Sequence, residues 1–146
     1  MNRSMPPGAV IPVLIYPDVR DAVEWLCRSF GFVERLRIGT HRSQLAVGAG
    51  SVVVTEQRAE PGTARPVASA AVPAESPVLS IMVRIDDVGK HYEHTRRLAT
   101  RIISPPADYP YGERQYTVED LAGYRWIFSQ TLEDVDPADW GGTLFG

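Results

Sequence analysis

The stretch VIPVLIYPDVRDAVEWLCRSFGF, residues 10–32, contains a strand signal followed directly by a helix signal. The β-branched run at 10–16 predicts a short strand, and Pro12, which lacks an N–H, suits a strand that is unpaired on one side there. Asp18 is a good N-cap residue, and Gly31 is typical of the residue that ends a helix. The spacing between them predicts an amphipathic helix whose apolar face consists of Ala22, Val23, Leu26 and Phe30.

The remainder of the chain adds strands and then repeats the order strand, helix, strands. Further strands are predicted at 32–38, 43–47 and 51–56, with a tight turn at 48–50. A connector without periodicity follows at 57–77. After it the pattern predicts a strand at 78–85, a helix from Asp87 to about Thr100, and strands at 101–104, 114–118 and 124–130.

The two halves match each other in order and spacing. Asp18-Val19 and Asp87-Val88 each end a strand and open a helix, at an offset of 69 (87 − 18). The segments GSVVVTEQ at 50–57 and GYRWIFSQ at 123–130 have similar patterns. This self-similarity predicts two tandem βαβββ modules. The alternative is one α+β domain whose halves are alike by chance.

Composition limits the possible partners. The chain has 146 residues, a formal net charge of −3 and one cysteine. That charge argues against nucleic acid, whose recognition needs clustered positive charge. A single thiol, Cys27, excludes an internal disulfide and a cysteine-based zinc site. No apolar run approaches 18 residues and the N-terminus has no signal-peptide pattern, so we expect a cytoplasmic protein without a membrane partner.

The ordered set of elements resembles the vicinal oxygen chelate superfamily, in its glyoxalase/bleomycin-resistance/dioxygenase branch. The second segment that carries the resemblance is YGERQYTVEDLAGYRWIFSQT at 111–131, with Leu121 where the family's strand–Asp-Pro-x-Gly–strand hairpin has Pro. The resemblance implies an α+β fold in which two tandem βαβββ modules form a curled mixed sheet with a cleft. It also implies a homodimer, and bacterial members that confer antibiotic resistance.

The resemblance divides the chain as follows. One domain is expected over 8–135, with module one at 8–56, the connector at 57–77, module two at 78–130 and a C-terminal tail at 131–146. In that tail, Trp140 and Phe145 are expected to pack back onto the body.

The same resemblance locates the family's metal-ligand positions on the first and last strands of each module. Counting from the strand-ending aspartates and the turn glycines gives Ile11, Val54, Ser80 and Ile127. Three of these are apolar and one is a hydroxyl, whereas the relevant divalent metals need His or carboxylate ligands. We therefore expect no metal and no cofactor, and an activity that leans away from catalysis, so no catalytic residue is assigned.

The histidines do not change this expectation. His91 and His94 lie three residues apart on the predicted second helix, which fits a two-histidine metal site or an ordinary solvated helix face. The solvated face is preferred, because no carboxylate cluster accompanies them and the predicted helix lies outside the cleft.

Strand alternation predicts which residues line the cleft. The lining is mostly apolar with a few polar points, which is typical of a small-molecule site. Three loop and strand-end residues stand at its entrance, where they could clamp a flat or anionic ligand: Tyr109, Tyr111 and Arg114. The other predicted ligand-binding residues are Gln44, Val54, Glu56, Ser80, Met82, Arg84, Gln115, Thr117 and Ile127.

Three functions fit this sequence. The preferred one is metal-free binding of a hydrophobic or aromatic small molecule, such as an antibiotic or natural product, by sequestration. The enzyme alternative is a metal-dependent lyase, isomerase or dioxygenase of the glyoxalase type. The third is a structural or regulatory dimer module whose cleft is filled by packing.

Overall fold

A computed structural model describes residues 2–57, 79–98 and 101–145. It divides into two compact units, of which the first comprises Met1–Val78 and Asp120–Tyr124, and the second comprises Leu79–Glu119 and Arg125–Gly146. The predicted connector lies outside the described residues except at Gln57. The domain and module bounds given above stay predictions.

The first unit contains one four-stranded sheet and one helix. Strand β1 pairs parallel to β4, and the remaining neighbours pair antiparallel in the order β1-β4-β3-β2. The element bounds are β1 Val13–Ile15, α1 Val19–Phe30, β2 Val33–Ile38, β3 Arg42–Val47 and β4 Gly50–Thr55.

The second unit repeats this topology strand for strand. Strand β5 pairs parallel to β8, and the order is β5-β8-β7-β6. The bounds are β5 Ser80–Arg84, α2 Val88–Leu98, β6 Arg101–Asp108, β7 Glu113–Glu119 and β8 Arg125–Thr131. The predicted α+β fold with two tandem βαβββ modules is thereby confirmed.

Both helices begin where the sequence predicts. Asp18 accepts a hydrogen bond from the backbone N of Asp21 at 3.0 Å, and Asp87 does the same for Lys90 at 3.0 Å. These bonds satisfy N–H groups that a helix start otherwise leaves unpaired. Gly31 adopts the left-handed conformation at φ 80° that ends α1.

One face of each sheet is buried against its helix. In the first unit this face includes Leu14, Leu45 and Val54, all buried. In the second unit the buried residues are those that alternation assigned to the core: Val83, Tyr116, Trp126 and Phe128. The opposite face of each sheet, which does not pack against the helix, is here called its open face.

Strand β6 corrects one sequence prediction. The strand predicted at 101–104 is longer in the structure, since β6 continues through Pro105 and Pro106 to Asp108. An edge strand tolerates proline because half of its N–H groups need no partner. In addition, the β6–β7 register shifts between Ser104 and Ala107, so the prolines fall at an irregularity in the pairing.

The C-terminal tail returns along the second unit. The backbone N of Leu132 donates to the carbonyl of Gly112 at 2.8 Å, and a 3₁₀ helix follows at Pro137–Trp140. Trp140 contacts the ring of Tyr111, so it packs back onto the body as expected from the sequence. Phe145 does not pack back, since it is 90% exposed.

Candidate ligand-binding site on the second sheet

The open face of the second sheet is defined by the pairing register. Paired residues point to the same side, so Gln115, Ser129 and Arg84 form one row across β7, β8 and β5. The next row is Thr117, Ile127 and Met82. On β5, β7 and β8 the face consists of Ser80, Met82, Arg84, Glu113, Gln115, Thr117, Glu119, Arg125, Ile127, Ser129 and Thr131, and β6 adds Arg101, Ser104 and Ala107.

Its centre is an apolar floor. Met82 is 58% exposed, and Ile127 and Thr117 beside it are half-buried. Leaving a methionine so exposed on a strand costs hydrophobic free energy that an apolar ligand would recover. The flexible thioether also adapts to ligands of different shape.

A directed chain of hydrogen bonds crosses the β7 side of the face. The Tyr111 hydroxyl donates to Gln115 Oε1 at 3.1 Å, and Gln115 Nε2 donates to Ser129 Oγ at 3.0 Å. Ser129 Oγ in turn donates to Glu113 Oε1 at 2.7 Å. The chain fixes these side chains before any ligand arrives, which lowers the entropy cost of binding.

Three aromatic rings stand beside this chain. Tyr109 and Tyr111 stack with ring centres 5.5 Å apart and an interplanar angle of 16°. Trp140 lies 5.4 Å from Tyr111, tilted by 59°. Tyr109 is 39% exposed and Trp140 44%, so both present ring surface to a ligand. We call Tyr109, Tyr111 and Trp140 the aromatic trio.

Charge is unevenly distributed on this face. Burial is the main cause that raises the pKa of Tyr111, followed by the Tyr109 phenol and the Glu113 carboxylate, so the Tyr111 hydroxyl stays a donor. At the other side, Arg84 is exposed and forms no ion pair with any described residue. Glu119 on β7 is paired with Arg101 and Arg125. Among the described residues of the face, the charged side chains without an ion-pair partner are therefore Glu113 on β7 and Arg84 on β5.

The structure brings most predicted residues of this unit together, but not Arg114. Its backbone partner is Gln130, so it points to the side of α2 and not to the open face. Its guanidinium is bound to Asp108 on β6, with Nε–Oδ1 2.6 Å. Arg114 therefore does not share the face of Gln115, because strand alternation separates the two, and its contact with a ligand stays a prediction.

In the first unit, the N-terminal residues cover part of the open face. Gln44 is buried there, its Nε2 donates to the carbonyl of Ser4 at 2.8 Å, and its Oε1 accepts from Arg35. Ser51 Oγ donates to the carbonyl of Pro7 at 2.8 Å. Residues 2–8, here called the N-terminal strap, thus bond Gln44 and Ser51, and Gln44 is not available to a ligand. Val13 and Val33 lie on the same face and stay 53% and 64% exposed.

Val54 also departs from its predicted place. It pairs with Leu14 and lies, fully buried, on the α1 side, so it cannot line the open face. The residue of β4 on the open face is Val53, which pairs with Gln44. Glu56 is exposed just beyond the end of β4.

The error at Val54 has a physical cause in the two hairpins. The β3–β4 turn has two residues between the paired Val47 and Gly50, whereas the β7–β8 turn has five between Glu119 and Arg125. The two turns thus differ in length by three residues, an odd number. Counting four residues from the turn glycine therefore reaches the helix side at Val54 in the first unit and the open face at Ile127 in the second.

The family's metal-ligand positions hold no suitable donor. With Val53 in place of Val54, the side chains are still Ile11, Val53, Ser80 and Ile127, which do not fit Ni, Zn, Fe or Mn. Within the described ranges, no three His, Cys, Asp or Glu side chains cluster as a metal site requires. We therefore derive no chemistry through a metal.

His91 corrects the expectation of a solvated helix face. Its ring lies 4.1 Å from that of Phe128, and Nδ1 bonds the Tyr116 hydroxyl, which also donates to Thr95 at 3.0 Å. His91 thus faces the sheet, while His94 is exposed. The two imidazoles do not share one environment.

Sequence reasoning missed Glu113 and Trp140 as site residues. Glu113 had a usable signal, since it lies two residues before Gln115 and must share its face. Trp140 had none, because it reaches the sheet through an irregular tail without periodicity.

This chain belongs to the Glyoxalase/Bleomycin resistance protein/Dioxygenase superfamily. The family's sequence model matches residues 9–128, a range that contains β1 to β7 and the part of β8 up to Phe128. The match fits the paired βαβββ topology described above. No curated protein matches the chain.

Among solved structures, the chain is similar to TioX from Micromonospora sp. ML1, with 33% identity, a TM-score of 0.68, and coverage of 86% of this chain and 99% of that one. A glyoxalase/bleomycin resistance protein/dioxygenase from Nocardioides has 20% identity, a TM-score of 0.64, and coverage of 95% and 90%. The bleomycin-binding protein from Streptomyces verticillus, complexed with copper(II)-bleomycin, has 17% identity, a TM-score of 0.57, and coverage of 83% and 93%. The latter two likenesses show the fold alone.

No helix of the described chain combines the length and apolarity needed to cross a membrane.

Proposed function

We propose that this protein binds a flat aromatic small molecule, such as an antibiotic or another natural product, and sequesters it without a metal. The observation that carries the proposal is the aromatic trio, in which Tyr109 and Trp140 keep exposed ring surface beside Tyr111. The binding surface is the open face of the second sheet.

Two further features support an aromatic ligand. The apolar floor at Met82 and Ile127 offers dispersion and burial to a ring system, and each aromatic pair adds about 0.5–1.5 kcal/mol beyond area burial. The fixed chain from Tyr111 to Glu113 supplies the few polar contacts that orient a ligand in such a site.

One neighbour of the same fold supports the ligand class. The Streptomyces verticillus protein is described as bleomycin-binding and was crystallised with copper(II)-bleomycin. The fold therefore accommodates a natural product, although the likeness at 17% identity does not transfer that ligand to this chain.

The proposal is tested by thermal unfolding and fluorescence titration with a panel of planar natural products. A true ligand at 100 times its Kd should add about 2.7 kcal/mol to the free energy of unfolding. Trp140→Ala should weaken binding about tenfold, because it removes a stacking surface. Phe145→Ala is the matched control, since Phe145 is an exposed aromatic of the same tail outside the trio, and it should leave affinity unchanged.

Two results would contradict this function. Equal affinities of the Trp140→Ala and Phe145→Ala proteins would remove the aromatic trio from the site. Stoichiometric tight binding of a divalent metal, with ligand affinity lost on chelation, would reject the metal-free part and favour the glyoxalase-type enzyme instead.

A second candidate, a structural or regulatory module, is favoured by one observation. In the first unit the N-terminal strap covers part of the open face through the bonds to Gln44 and Ser51. If the second unit also has a structural or regulatory role and binds no ligand, no aromatic compound of the panel will shift the unfolding temperature.

A further inference from the structure

Glu113 ends the hydrogen-bond chain on the open face of the second sheet. One of its oxygens, Oε1, accepts from Ser129 at 2.7 Å. No described residue donates to the other oxygen, Oε2, and Glu113 forms no ion pair with a described basic side chain. The residue is half-buried.

The direction of the chain determines what this end of the face can recognise. Tyr111 uses its proton on Gln115, and Ser129 uses its proton on Glu113. Because both hydroxyl protons are used within the chain of bonds, the strongest hydrogen-bonding group left without a described partner is an acceptor, Oε2 of the Glu113 carboxylate. The complementary ligand group is a donor, and a charged donor is preferred because charge-assisted bonds are roughly twice as strong as neutral ones.

The neighbouring rings favour the same chemistry. Cations are attracted to the faces of tyrosine and tryptophan rings within about 6 Å. The aromatic trio adjoins Glu113, whose charge contributes to raising the pKa of the Tyr111 phenol. A carboxylate beside exposed π-faces is complementary to a protonated amine attached to an aromatic system.

The exposed guanidinium of Arg84, which has no ion-pair partner among the described residues, opposes such a group at the other side of the face. Arg84 and Glu113 lie on β5 and β7, separated by β8, so their Cα atoms are about 10 Å or more apart. A cationic ligand group therefore gains at the Glu113 side and is repelled at the Arg84 side. This asymmetry orients the ligand.

We infer that the aromatic ligand carries a protonated amine, and that Glu113 is the specificity-determining residue that receives it. The inference rests on the proposed function, because it names the ligand chemistry of the same site.

The test compares two planar three-ring probes of opposite charge, the cation 9-aminoacridine and the anion anthracene-9-carboxylate, by fluorescence titration. The wild-type protein should bind the cation more tightly. Glu113→Gln should weaken cation binding about tenfold and leave anion binding no weaker. Arg84→Gln should act in the opposite direction, since it removes a like charge from the cation and a counter-charge from the anion.

Glu93→Gln is the matched control. Glu93 lies on α2, is exposed and pairs with Arg96 at 2.9 Å, so this variant makes the same change of charge away from the open face. It should leave both affinities unchanged. The wild-type preference between the probes needs no variant and remains decisive if Glu113→Gln folds poorly.

The outcomes separate the two proposals. If both probes bind with equal affinity, or if Glu113→Gln weakens both alike, the inference on charge is overturned while the aromatic-binding function stands. If neither probe nor any planar compound of the panel binds, the proposed function fails and the inference fails with it.

Discussion

Glu34 shows how one side chain connects helix and sheet in the first unit. Arg20 of α1 donates to both of its oxygens, at 2.7 and 3.1 Å, and Arg37 and Ser43 donate at 2.7 Å each. The bonds from Arg20, then those from Arg37 and Ser43, hold the pKa of Glu34 far below its usual range. The folded state thus strongly favours the ionised carboxylate.

This network predicts an acid-dependent stability. Because the pKa of Glu34 is lowered in the folded state, the ionised carboxylate stabilises the protein at every pH above the unfolded-state pKa of about 4.3. This stability is lost progressively as the pH falls from that value toward the lower folded-state pKa. Glu34→Gln should therefore reduce the free energy of unfolding by about 1–2 kcal/mol at pH 7, and less at pH 3. Urea unfolding at both pH values measures the difference.

Glu24→Gln provides the comparison for that measurement. Glu24 pairs with Arg28 at 3.6 Å on the exposed side of α1, and such surface pairs contribute little. If the two variants respond to acid in the same way, the Glu34 network does not carry the effect.

Tyr16 fixes a turn within the first unit. Its buried hydroxyl donates to Asp120 Oδ2, and burial followed by the Asp120 charge raises the pKa of Tyr16 strongly. Asp120 Oδ1 accepts from the backbone N of Ala122 at 2.9 Å and of Tyr124 at 3.1 Å. The aspartate of the family's hairpin motif thus organises the turn even though Leu121 replaces proline.

At the scale of elements, the N-terminal strap has a measurable role. Deleting residues 2–8 removes the carbonyls of Ser4 and Pro7 from Gln44 and Ser51 and exposes these side chains to water. Because water replaces the lost partner, each lost hydrogen bond costs about 0.5–1.5 kcal/mol. We expect a lower free energy of unfolding and faster amide exchange in β3 and β4, both measurable by urea titration and hydrogen exchange.

Deleting residues 144–146 is the matched truncation. Leu144 and Phe145 are largely exposed, so this deletion should leave stability unchanged. Equal stability of the two truncated proteins would show that the strap does not hold the face of β3 and β4.

At the scale of the whole molecule, the two units use one topology differently. In the first, the strap covers the part of the open face around Gln44 and Ser51, and in the second the aromatic trio stands beside the open face. The duplicated modules therefore differ in which of their polar side chains are already bonded by another segment of the chain. The aromatic trio is why we propose the second unit as the ligand site.

The homodimer stays a prediction from the family resemblance. Small βαβββ modules bury little surface on their own, which favours further association. Sedimentation velocity at micromolar concentration should give twice the chain mass of 16.1 kDa. A single species at the monomer mass up to tens of micromolar would reject the dimer.

The sequence determined the features that depend on neighbouring residues. Both helix starts at Asp18 and Asp87, the Gly31 helix end and the order of strands follow from local capping and periodicity. Most of the open face of the second sheet follows as well, because alternation assigns Met82, Gln115 and Ile127 to one side.

Only the tertiary structure decided the rest, because those features depend on contacts between distant residues. The face on which Val54 lies depends on hairpin length and on pairing with β1, and a shift of one residue reverses it. The strap over Gln44 and the position of Trp140 beside Tyr111 come from irregular segments, whose packing no periodicity predicts. The sequence thus determined the two modules, and long-range packing decided which side chains of each open face are covered by irregular segments of the chain.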